Sequence, residues 1–153
     1  MSTNAEYNAV INYCQELFIK KTKDYGTAWR ILRTTSLTDQ IYIKANRIRS
    51  LQTKGHAMVN EGITPEFIGI INYAIMALIQ LELGVSDGTD ENDLRDKRAA
   101  ELYDKHAAEA LALMLRKNHD YDEAWRAMRV SSYADLILMK VFRTKQIEDL
   151  QGH

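Results

Sequence analysis

The sequence predicts an all-α protein, a helical bundle formed by a tandem duplication of one helical unit, on three observations. Only one proline and seven glycines punctuate 153 residues. Apolar residues recur at spacings of three and four, the period of an amphipathic helix. Residues 119–143 repeat residues 23–47 without a gap. With 46% apolar residues at this length, the chain can bury a core without a metal or disulfide to hold it.

The first helix is expected from Asn4 to Lys23, with Tyr7, Val10, Ile11, Cys14, Leu17 and Phe18 on its inner face. Gly26 supplies the left-handed turn that ends it. A short helix follows over Ala28–Arg33. Ser36, with Asp39 three residues on, then caps a helix to about Lys54 whose inner stripe is Leu37, Ile41, Ile48 and Leu51. Thr64, Pro65 and Glu66 read as the next start: threonine caps, proline fits a first turn, and glutamate complements the dipole. That helix runs to Leu83 and stops at Gly84. Because Phe67–Leu83 is nearly apolar all round, it belongs at the centre of the bundle. The stretch is short for a membrane span, and Asn72, Gln80 and Glu82 interrupt it. Val85–Asn92 is a polar, acidic linker, and helices resume near Asp93 and end near Asn118. The expected organisation is a first repeat over 1–84, a linker over 85–92, and a shorter second repeat over 93–153, packed on the first about an approximate internal twofold axis.

Eleven identities carry the repeat. Asp24, Tyr25, Ala28, Trp29, Arg30, Arg33, Ser36, Asp39, Ile41, Lys44 and Arg47 meet the same residue types at Asp120, Tyr121, Ala124, Trp125, Arg126, Arg129, Ser132, Asp135, Ile137, Lys140 and Arg143. Gly26 meets Asp122, and both types tolerate a positive φ. The second copy has no counterpart of the Thr64–Leu83 helix, so an apolar groove beside Leu136, Ile137 and Met139 is expected to stay open until a second chain covers it. A homodimer is the expected assembly.

Lys and Arg number 20 against 21 Asp and Glu, a net charge of -1. Wholesale attraction to polymeric nucleic acid or to an acidic membrane is therefore not expected. The single cysteine, Cys14, cannot form an internal disulfide, and no leader opens the chain, so a reducing cytoplasm is the expected compartment. His56, His106, His119 and His153 have no zinc-ligand spacing. No P-loop, dinucleotide fingerprint or nucleophile elbow is present.

The copies share charged residues more tightly than apolar ones, the reverse of what packing alone produces. Arg30 and Arg33 lie one turn apart, as do Lys44 and Arg47. Two such pairs can converge on phosphate oxygens, arginine through forked bonds and lysine as a mobile charge. The competing reading is that they pair with Asp24 and Asp39 to fasten neighbouring helices. Trp29 and Tyr25 can stack on a nucleobase or serve the core.

The segments KDYG, AWR, S-x-x-D with K-x-x-R, and EFIGIINYAIMALIQLE resemble the nucleotide modification associated domain 1 family. That family is similar to the all-α NTP pyrophosphatases, the MazG and dUTPase-like group, which cleave nucleoside triphosphates with magnesium held by carboxylates on two adjacent helices. The resemblance implies a nucleoside phosphate as ligand and magnesium as cofactor. Where those enzymes carry E-x-x-E and then E-x-x-D, this chain has Asp39 with Tyr42 one turn later, and Glu66 with Gly69. Asp39 and Glu66 are thus the metal-ligand candidates. Asp24, Tyr25, Trp29, Arg30, Arg33, Lys44, Arg47 and Asn72 are the substrate-binding candidates. Three functions remain open: a magnesium-dependent pyrophosphohydrolase, a non-catalytic nucleotide-binding module, and a structural helical assembly.

Overall fold

A computed structural model describes residues 2–54, 58–88 and 96–151. Five α-helices follow in order: α1 (Thr3–Tyr25), α2 (Thr34–Lys54), α3 (Met58–Leu83), α4 (Asp96–Tyr121) and α5 (Val130–Gln151). Single 3₁₀ turns, Ala28–Ile31 and Ala124–Ala127, lead into α2 and α5. No strand occurs among the described residues.

Local chemistry sets the helix ends. Ser2 caps α1 by accepting from the Ala5 N–H at 3.2 Å. Gly26, at φ 67°, closes α1 by donating its N–H to the Thr22 carbonyl. Asp122, at φ 56°, closes α4 in the same way onto the Asn118 carbonyl. The expected exchange of Gly26 for Asp122 at a positive-φ position is what the backbone uses.

Three expected boundaries move. Helix α2 begins at Thr34, because the Arg33 carbonyl already accepts from the Ser36 and Leu37 N–H groups; Ser36 sits inside the first turn instead of capping it. Helix α4 continues past Asn118 to Tyr121. Helix α3 begins at Met58, not Thr64, and carries Pro65 in its interior. Ile63, Phe67 and Ile70 lie on one stripe and pack in the same apolar cluster, so burial of Ile63 draws the preceding turn into the helix although Pro65 lacks an N–H. The end of the expected linker and the resumption near Asp93, like His56 and His153, lie outside the described residues.

The chain forms two compact units, residues 1–32 with 78–124 and residues 33–77 with 125–153. Residues from both expected halves, 1–84 and 93–153, enter each unit. In the first, α1 packs on α4. Ile11, Cys14 and Phe18 are buried, as are Leu102, Tyr103 and Ala107, and the Phe18 and Tyr103 rings lie 5.0 Å apart. Tyr7 donates its hydroxyl to the Ala107 carbonyl at 2.8 Å. Thr3 Oγ1 lies within hydrogen-bond reach of both Glu123 carboxylate oxygens, which holds a residue that is itself at φ 56°.

In the second unit α2 packs on α5. Ala45 and Ile48 of α2, Ile63 and Ile70 of α3, and Ala134 and Leu138 of α5 form its buried cluster, with Ile137 packed against it. Burying a side chain such as Ile48 contributes about 1.5–3 kcal/mol. Pairings of Thr38 with Glu148, Asp39 with Lys145, Tyr42 with Phe142 and Arg49 with Asp135 run in opposite directions along the two helices, so α2 and α5 are antiparallel.

The expected enclosure of α3 is not found within one chain. Only 22% of its apolar stretch is buried, and Leu78, Leu81 and Leu83 are exposed. Because the helix starts early, Gly62–Leu83 is also long and apolar enough, by length and composition, to cross a membrane. Of its polar residues, Asn72 and Gln80 are both buried.

Candidate functional site

Two of the charged residues that repeat within the chain, Lys44 and Arg47 of α2, meet Glu66 of α3. Glu66, on the α3 face that meets α2, keeps only 13% of its side chain exposed. Lys44 Nζ stands 3.3 Å from Glu66 Oε2, and Arg47 Nε stands 3.2 Å from Oε1. Each carboxylate oxygen thus faces one cation. The Lys44 contact is a close approach of charges, since Oε2 has no aligned hydrogen bond. Lys44 reaches this position across Gly69. A Cβ built on Gly69 would come within 3.0 Å of Lys44 Cε and 3.3 Å of Cδ. Glycine in a helix interior costs about 1 kcal/mol against alanine; here it opens the channel that the lysine stem fills.

Asp39 does not join Glu66. Its carboxylate meets Lys145 of α5 at 3.3 Å, and Lys145 also lies over the Tyr42 ring, 5.1 Å from its centroid. Each candidate metal ligand is therefore engaged by cations, and by different ones. Magnesium requires several hard oxygen ligands around one point. Among the described residues no group of three or more histidine, cysteine or acidic side chains converges in that way. Among the described residues, the side chains do not fit a resident metal.

The remaining expected site residues divide between the units. Arg33, exposed, and Asn72, buried and with a partner of its own, belong with Lys44 and Arg47 in the α2–α5 unit. Asp24, Tyr25, Trp29 and Arg30 belong to the α1–α4 unit. Tyr25 is 76% exposed, whereas Trp29 packs on Phe18 with centroids 6.0 Å apart. Arg30 is not a solvent-facing phosphate ligand. It is 5% exposed, donates to Gln80 Oε1 and to the Gly84 carbonyl, and receives Gln80 Nε2 on its own carbonyl at 2.8 Å. Gln80 donates also to the Leu32 carbonyl, and the Ser86 N–H reaches the Arg30 carbonyl. These bonds tie the 3₁₀ turn to the end of α3. The equivalent Arg126 instead lies over the Trp125 ring at 4.5 Å.

Sequence reasoning named Gln80 only as a polar interruption of the apolar stretch and did not name Lys145, because neither residue type is repeated between the matching segments. It also passed over an ionic cluster at the end of α3. Glu82 Oε1 meets Lys105 Nζ at 2.8 Å and the buried His106 Nε2 at 2.9 Å. The Lys105 ammonium first, and His106 after it, hold the Glu82 carboxyl below the usual glutamate range, against a smaller opposing effect of burial.

Comparison with known proteins adds one relationship. The family model for nucleotide modification associated domain 1 matches residues 21–81 and, separately, residues 117–153. Searches of curated proteins and of solved structures returned no match.

Proposed function

Because the chain belongs to the nucleotide modification associated domain 1 family, we propose that it is a helical module that binds a nucleoside phosphate without cleaving it. The observation that carries this reading is the Lys44–Glu66–Arg47 cluster. A carboxylate already neutralised by two cations is a poor metal ligand, while the cations around it remain suited to phosphate. Arg47 is 63% exposed and spends its Nε on Glu66; a guanidinium has further donors for a forked bond to phosphate. Magnesium, in this reading, arrives only as the companion of the ligand's own phosphates, since that ion keeps several waters and needs few protein ligands.

The same proposal takes the chain to be a tandem duplication. Its support is that both 3₁₀ turns, both preceding helix ends and both following helix starts fall 96 residues apart. The second family match also begins 96 residues after the first.

Calorimetric titration with nucleoside triphosphates, with and without magnesium, alongside assays for released pyrophosphate and phosphate, tests the function. Binding without turnover is expected. Lys44→Ala with Arg47→Ala should weaken it about tenfold or more, and Glu66→Gln, which frees both cations, should tighten it. Absence of binding by the parent protein overturns the proposal. Magnesium-dependent turnover replaces it with the hydrolase.

A further inference from the structure

The antiparallel pairing of α2 and α5 has an internal symmetry that exposes one unmatched face. Asp39 pairs with Lys145, and Arg49 with Asp135. Each pair converts into the other when the α2 position is advanced, and the α5 position moved back, by 96 residues. The two helices therefore present equivalent positions outward, α2 towards α3 and α5 towards no described helix. On α2 those positions are Lys44, Arg47 and Leu51. Lys44 and Arg47 hold Glu66, and Leu51 is the neighbour that a Cβ on Gly62 would meet at 3.0 Å. On α5 the equivalents are Lys140, Arg143 and Ile147. All three are exposed, and Lys140 and Arg143 have no ion pair among the described residues. Leu136, Met139 and Leu150, at 40%, 57% and 73% exposure, continue the same stripe.

We propose that this α5 face docks an α-helix of a partner protein with the chemistry of α3: a glutamate set between Lys140 and Arg143, a small residue one turn after it, and apolar residues a turn to either side. The proposal rests on the duplication reading. Charge selects the occupant. A second copy of α5 laid antiparallel in the stripe, with Leu136 against Leu150 and Met139 against Ile147, sets Arg143 against its own symmetry mate. An acidic apolar helix instead meets the cationic pair with an opposite charge, which favours encounter and fixes register. In α3 itself Glu66 is already held by Lys44 and Arg47, so the α3 of a second copy is not free to fill the role.

The probe is a stapled, fluorescently labelled peptide of residues 62–77, titrated into the full chain and followed by anisotropy. Saturable binding is expected. Lys140→Glu with Arg143→Glu should weaken it about tenfold or more, and a peptide carrying Glu66→Lys should regain affinity for that double variant. Lys44→Gln should leave peptide affinity unchanged. No binding, or binding indifferent to the charge reversal, overturns the proposal. Two other results also overturn it: a self-associated parent that the double reversal renders monomeric in sedimentation, which makes the face an interface between copies, and loss of triphosphate affinity in the double reversal, which makes it a phosphate seat. Triphosphate binding that depends on Lys44 and Arg47 is measured separately, so failure of one reading leaves the other standing.

Discussion

Lys145 Nζ stands 3.3 Å from Asp39 Oδ1, and this pair has a counterpart with the helices exchanged, Arg49 Nε 3.9 Å from Asp135 Oδ1. The two pairs bracket the α2–α5 contact and set its register. Both are largely open to solvent, so each contributes below about 1 kcal/mol. Asp39→Ala should lower stability by no more than that and leave nucleotide affinity, with or without magnesium, as in the parent. A large loss of magnesium-dependent affinity, read by calorimetry, would return Asp39 to the metal.

Arg30 should act on stability and not on ligand affinity. It is buried, and the amide of Gln80 and the Gly84 carbonyl receive its N–H groups. Removing the guanidinium leaves those acceptors short of donors, at a cost of about 2–4 kcal/mol. Denaturant unfolding of Arg30→Ala should show that loss, and Gln80→Ala a comparable one. Arg126→Ala, at an exposed position over the Trp125 ring, should cost less than Arg30→Ala. An Arg30 variant of parental stability with lost triphosphate affinity would reverse the assignment.

Pro65 reports where α3 begins. With the helix formed from Met58, its missing N–H and its ring both disturb a continuous ladder. Pro65→Ala should then raise stability by up to about 3 kcal/mol and increase helical ellipticity. In a helix that starts at Thr64, proline occupies its favoured first-turn position and the same substitution gains nothing.

Gly69→Ala weighs helix propensity against the room Lys44 needs. The contact a new methyl would make, 3.0 Å to Lys44 Cε, is with the flexible end of a long side chain. The stem should yield, leaving the variant more stable than the parent by up to about 1 kcal/mol. Thermal unfolding checks the sign. A destabilised variant would show that Lys44 is held rigidly where it lies.

The Glu82 cluster gives a pH dependence with a defined direction. Its carboxyl is held below the ordinary glutamate range mainly by Lys105, so the unfolded chain takes up this proton at higher pH than the folded one. The stabilisation is complete above the unfolded value of about 4.3 and is lost as pH falls through the folded one. Lys105→Met should therefore flatten the decline of stability between pH 5 and acid, measured by urea unfolding at stepped pH (values on the order of the ordinary glutamate range).

The sequence by itself determined the helices and their repetition, because these rest on local physics. The spacing of apolar residues, the positive φ open to Gly26 and Asp122, and the repeated segment after each are all written within short stretches of chain. It also named Lys44, Arg47 and Glu66 among its candidates, and the folded chain brings these three together as an ion cluster. Tertiary structure decided what each charge does. Arg30 and Arg126 each follow the same Ala-Trp pair, yet Gln80, fifty residues along the chain, draws the first into the interior and leaves the second on Trp125. Asp39 and Glu66 both resembled metal ligands, but packing of α5 on α2 gives Asp39 to Lys145, while the open space at Gly69 lays Lys44 against Glu66. A charged side chain has several possible partners within reach, and only the assembled helices select one. The start of α3 was settled in the same way, where burial of Ile63 outweighed the hydrogen bond that Pro65 cannot make.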